Sequence, residues 1–124
     1  MKKSLFIALW VLPAVLFAKP TIKFTSLNND FGETTVGKTL DINFEFTNVG
    51  SDVLYIKNII PSCGCTTAEL KKKEYRPGEK GTITVKFNTS GYNGRVVKTI
   101  TVMTSDPDSP EMRLTLSGTV IVKD

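Results

Sequence analysis

The sequence predicts an all-β sandwich, and three observations carry the prediction. Apolar side chains recur at every second position in several stretches, as in strands that bury one face. Glycine, proline and asparagine separate those stretches at the spacing of a sandwich's turns. No stretch sustains the 3.6-residue period of an amphipathic helix.

Residues 1–18 read as a secretory signal peptide ahead of that fold. Lys2 and Lys3 precede an apolar run from Leu5 to Phe17, and the small residue Ala18 closes it. The run has 13 residues and contains Pro13. A membrane-spanning helix needs roughly 20 apolar residues, so no permanent membrane span is expected. Leu16 stands where a second small residue would complete the usual cleavage pattern, and cleavage is placed near Ala18. No cysteine follows at once to take a lipid, so the expected product is periplasmic or secreted. Residues 19–124 are then one domain, because 106 residues fill one core and not two.

Along that domain, Ile22 and Phe24 open a first strand. Leu40, Ile42, Phe44 and Phe46 alternate with Asp41, Asn43, Glu45 and Thr47, giving one core face and one wet face. Thr47 to Ser51 supplies turn residues, and Val53 to Ile60 is apolar in both phases, which predicts a strand buried on both faces. A short strand is expected from Thr66 to Leu70. Pro77-Gly78 marks a turn, after which Ile83, Val85 and Phe87 alternate with Thr82, Thr84 and Lys86. Gly91 to Gly94 turns the chain into Val96 to Met103, and Ser105 to Pro110 is a polar loop. Met112, Leu114, Leu116, Val120 and Val122 close the series, with Gly118 predicting a bulge. The total is about seven antiparallel strands; a closed barrel fits the same alternation.

Composition excludes much chemistry. Histidine is absent, which removes Cys/His and Ser/His/Asp nucleophilic sites and every histidine-containing metal set. Neither phosphate-cradling glycine motif is present. Asp30-Phe31-Gly32 spells a kinase metal motif without the rest of that signature, a chance match. Without Lys2 and Lys3 the chain has 14 basic and 12 acidic residues, a net +2. Its one cluster, Lys71-Lys72-Lys73, lies among Glu69, Glu74 and Glu79 and reads as a solvated loop. Nucleic acid is therefore not an expected partner. Phe31, Tyr75 and Tyr92 stand beside turn residues, where an aromatic either anchors a partner or plugs the end of the sandwich.

Cys63-Gly64-Cys65 is the remaining reactive feature, and three readings of it stay open. In an oxidising compartment the pair forms a local disulfide. Residues two apart in an extended strand stand near the limit of such a bridge, roughly 7 Å between Cα atoms, and Gly64 offers a kink that closes the gap. Alternatively, two thiolates on one face grip Cu(I), or share Zn with Asp or Glu, with Met103 and Met112 as further copper donors. The third reading is thiol–disulfide exchange, which needs a neighbouring positive charge or helix N-terminus.

The run Ser62-Cys63-Gly64-Cys65-Thr66 resembles the signature of DUF1573, a family of exported bacterial proteins. Phe31-Gly32, Phe46-Thr47-Asn48-Val49-Gly50, Leu54-Tyr55-Ile56, Pro77-Gly78-Glu79, Gly94 and Leu114 to Gly118 are similar to that family's pattern, in order, over residues 30–120. The Phe-x-Asn-x-Gly and Pro-Gly-Glu elements also resemble the wider group of ASPM, SPD-2 and Hydin domains, which are binding modules. The resemblance implies an immunoglobulin-like β-sandwich and an envelope location, and it carries no activity, cofactor or catalytic residues. The expectation is a non-catalytic envelope module with an envelope protein as partner, with Ser62, Gly64 and Thr66 as its motif loop. A periplasmic thiol-redox or Cu/Zn-handling protein that uses Cys63 and Cys65 is the alternative.

Overall fold

The computed structural model describes residues 18–123. The predicted leader thus lies outside the described residues, apart from Ala18 at its end. Among the described residues there is no helix, and nine strands follow in order. They are β1 (Ile22–Phe24), β2 (Asn28–Thr35), β3 (Thr39–Asn48), β4 (Leu54–Pro61), β5 (Thr66–Glu69), β6 (Glu74–Tyr75), β7 (Lys80–Asn88), β8 (Gly94–Thr104) and β9 (Glu111–Ile121). Two sheets form, β1-β3-β7-β5 and β2-β9-β8-β4-β6. The sandwich and its expected strands are borne out. The two additions, β2 and β6, carry no apolar alternation: Asn28–Thr35 has Phe31 as its single large apolar residue, and Glu74–Tyr75 is two residues long.

The alternating residues meet between the sheets. Ile42, Phe44 and Phe46 of β3 and Ile83, Val85 and Phe87 of β7 face Leu54, Ile56, Ile100, Val102, Leu114 and Leu116 of the other sheet, all buried. This apolar area supplies the main drive for folding.

Three expectations need correction. Not every pair is antiparallel: β2 runs parallel to β9, with Asn28 opposite Thr115 and Thr35 opposite Ile121. Strand β2 can do this because β1 belongs to the other sheet, so Thr25 to Leu27 carries the chain across the sandwich. Gly118 marks no bulge in its pairing with β8, where register is continuous. The irregularity lies opposite, between Asp30 and Glu33 of β2, and Gly118 is small because the Phe31 ring fills the space of its missing β-carbon. Finally, β4 is not buried on both faces. A register shift between Ile56 and Asn58 reverses its alternation, so that Leu54, Ile56 and then Ile59 turn inward while Tyr55 and Ile60 face out.

Two buried polar side chains tie the loops together. Asn48 accepts from the N–H groups of Thr21 (3.3 Å) and Gly50 (3.0 Å) and donates to the carbonyls of Asp52 (2.8 Å) and Tyr75 (2.9 Å). The Arg76-Pro77-Gly78-Glu79 turn, with Gly78 at φ +85° and Glu79 N–H bonded to Arg76 O, docks on the same residue through Gly78 N–H. The Asp106 carboxylate, 1% exposed, accepts from the N–H groups of Ile22 (2.9 Å), Asp108 (2.8 Å) and Ser109 (3.3 Å), and so fixes β1 against the β8–β9 loop.

Candidate functional site

The Ser62–Thr66 loop joins the two sheets at one end of the sandwich. Pro61 closes β4 opposite Ile100, and Ser62 prolongs the pairing: its N–H donates to Thr99 O (2.9 Å) while its Oγ accepts from Thr99 N–H (3.2 Å). On the far side Asn88 N–H donates to Cys65 O (3.0 Å), and Thr66, buried, starts β5 with its hydroxyl bonded to Cys63 O (3.3 Å). Both ends of the loop are thus held by sheet hydrogen bonds.

Between those ends the chain turns, and the Cys63 and Cys65 Cα atoms stand 5.4 Å apart with their sulfurs in contact. The separation is well inside the extended-strand limit and lies in the range a disulfide takes. Gly64 does not achieve this with a left-handed backbone, since it is absent from the positive-φ glycines; it is exposed and has open space around its α-carbon.

Tyr92 underlies the pair. Its hydroxyl donates to Cys65 Sγ at 3.0 Å and stands 4.0 Å from Cys63 Sγ. Its ring packs on Phe87, centroids 5.3 Å apart, and the Lys98 ammonium lies 4.9 Å from its centroid. Nothing local in the sequence announces this, because Tyr92 is 27 residues from Cys65. Tyr92 plugs this end of the sandwich, Tyr75 is buried at the other, and Phe31 packs on Phe87.

The remaining candidates fall elsewhere. Lys71, Lys72 and Lys73 follow β5 and precede β6, which pairs with Leu54 and Tyr55 at the opposite end of β4 from the loop. There Lys72 pairs with Glu79, and its ammonium lies 5.2 Å from the Tyr75 ring centroid. Bonds from the Lys72 ammonium and Arg76 N–H hold the Glu79 carboxyl below its ordinary value. Burial pushes the Tyr75 hydroxyl upward. Met103 lies opposite Glu111 and Met112 opposite Val102. That is four residues along β8 from Thr99 for Met103, roughly 13 Å at strand rise. Neither methionine is placed to join the sulfurs. Among the described residues no group of three His, Cys, Asp or Glu is arranged to hold a metal ion.

Comparison with solved structures agrees with this architecture. A protein of unknown function from Porphyromonas gingivalis W83 superimposes with a TM-score of 0.74 at 21% identity, over 88% of this chain and 51% of that one. The chain thus spans about half the length of that protein. The seventh PapD-like (ASH) domain of human CEP192 gives 0.62 at 14% identity, covering 100% of this chain and 99% of that one. The YadV chaperone gives 0.58 at 14% identity, covering 80% of this chain and 51% of that one. At such identities the likeness is one of fold, a PapD-like immunoglobulin-like sandwich. No curated protein matches the sequence. The profile described as "Protein of unknown function (DUF1573)" matches residues 22–120, from β1 to the last turn of pairing in β9, and the chain belongs to the DUF1573 family.

Proposed function

We propose that this protein is a non-catalytic binding module of the bacterial envelope, exported behind residues 1–18, which recognises another envelope protein with its Ser62–Thr66 loop. One observation carries the reading. Two apolar side chains, Ile60 at 47% and Val97 at 56% exposed, flank the loop on the outer face of the five-stranded sheet. The Ser62–Thr99 bonds set Ser62 between them, two residues after Ile60 on its own strand and beside a residue two after Val97. A loop held at both ends and rimmed by exposed apolar groups loses little entropy on docking and gains from covering them. Fold by itself does not assign this role.

The test is photo-crosslinking in the envelope of the bacterium that makes the protein, with the crosslinker at Val97, at Ile60 or at Glu45, an exposed position on the other sheet. The expected result is one discrete adduct from the first two positions, lost in an I60D/V97D variant. Equal labelling from Glu45, or no adduct from any position, overturns the reading.

A second reading has the Tyr92–Cys65 contact in its favour. An external thiolate attacks Cys63 Sγ and forms a mixed disulfide, while the Cys63–Cys65 bond breaks and its electron pair leaves on Cys65 Sγ, where Tyr92 O–H donates. Replacing both cysteines by serine separates the two. Under the binding reading the Val97 adduct weakens at most, by loss of loop order, while the sheet bonds of Ser62 and Cys65 still hold the loop's ends; under the redox one all function is lost.

A further inference from the structure

At the end of the sandwich opposite the loop, β5 leaves its sheet before β7 ends. Pairing stops at Glu69 opposite Thr84, and the chain crosses through Leu70–Lys73 to β6 in the other sheet. The stretch Lys80–Ile83 of β7 keeps β3 on one side and has no strand on the other.

The direction of its main-chain groups follows from its neighbours. Odd-numbered residues turn toward β3, as Glu79 O accepts from Asn48 N–H and Thr89 N–H donates to Lys38 O, each at 3.0 Å. Even-numbered ones turn the other way, as Asn88 N–H does in bonding Cys65 O at 3.0 Å. Thr82 and Lys80 therefore direct their N–H and C=O groups into the open edge, where no main-chain partner meets them among the described residues. Such an edge is a template for one more strand.

A groove of about 780 Å³ lies along this edge. Its walls carry three lysines, Lys71, Lys72 and Lys80, against one glutamate, Glu69. Lys72 is engaged by Glu79, which leaves Lys71 and Lys80 to set the sign of the opening. Tyr75 and Gly81 belong to its lining, and behind Gly81 the rings of Phe46 and Tyr75 occupy the space of a β-carbon.

We infer that this groove binds an extended acidic peptide segment, which adds to the edge of β7 at Lys80–Ile83 with an outward carboxylate toward Lys71 and Lys80. About four residues of the segment fit the open length, roughly 13 Å. Main-chain bonds to Thr82 supply the docking and the lysines the choice of sequence. The inference goes beyond the proposed function and does not use the Ser62–Thr66 loop.

Titration of the ¹⁵N-labelled protein with a capped hexapeptide of alternating valine and glutamate tests it. The Thr82 and Lys80 amide signals are expected to shift saturably, with deuterium exchange at Thr82 slowed at least fivefold at saturation. A valine–lysine hexapeptide is expected to bind at least tenfold more weakly, and a K71E/K80E variant to reverse that preference. T82P removes the outward donor without touching the β3 ladder and is expected to abolish binding while the other amide signals stay in place. Equal binding of both peptides, shifts without protection at Thr82, or the same shifts from inorganic phosphate alone would overturn the inference. So would loss of peptide binding in the I60D/V97D variant, which separates this site from the loop.

Discussion

The ring of Phe31 lies against the main chain of Gly118, in the volume that a β-carbon at residue 118 would take. The contact joins the parallel pair of β2 and β9 at the irregular step in their register.

Gly118→Ala is therefore expected to destabilise the fold by about 1–3 kcal/mol, the usual cost of overpacking. Urea unfolding would show a lower midpoint with an unchanged slope. In a Phe31→Ala background the added cost should shrink, since the colliding ring is gone.

Asn48→Ala leaves two carbonyls and two N–H groups without their partner inside a closed part of the structure. Each such buried group costs about 1–3 kcal/mol when unsatisfied, less where water enters. A total loss of about 2–4 kcal/mol is expected, with faster amide exchange at Thr21 and Gly50, the two N–H groups that lose their acceptor, as the local signature.

Much of this fold was legible because strands that bury one face write a period of two into the sequence, as Ile42, Phe44 and Phe46 do. Strand β4 shows where the period misleads. Val53 to Ile60 is apolar in both phases because one register shift after Ile56 moves the inward position from even to odd numbers, and the pattern on either side of it sums to an apparent double burial. The motif loop was legible through its two cysteines. Tyr92 beneath it was not, because that contact depends on how β7 and β8 lie under the loop, and the open edge at Thr82 depends on where β5 departs. Both are properties of pairing between distant segments.

Acid stability gives a third test. Glu79 is held below its ordinary value of 4.5 by the Lys72 ammonium first and the Arg76 N–H second. A carboxyl lowered in the folded state contributes stability that is present above its unfolded value and lost as pH falls through the folded one. Glu79→Gln should thus lower stability in the neutral region, where the carboxylate's contribution is fully present, and converge on the parent protein as pH falls below 4.5, as read by thermal melts across that range.

The link between Cys63 and Cys65 encloses a single residue. Such a small ring restrains little of the unfolded chain, so its reduction is expected to lower stability by less than about 2 kcal/mol. Urea midpoints with and without a reductant would show it. A large loss would instead mean that the loop's sheet bonds to Thr99 and Asn88 fail when the sulfurs part.

The parallel pairing of β2 with β9 has a mechanical consequence. A pull that draws the start of β2 and the end of β9 apart acts along both strands, in opposite directions, so the evenly spaced hydrogen bonds between them share the load as a shear. They must yield together, where a hairpin opened from one end would part bond by bond. Attached at its two ends, the sandwich would resist extension along this seam once β1 has parted from β3, with the Phe31 ring wedged beside Gly118 as its stop.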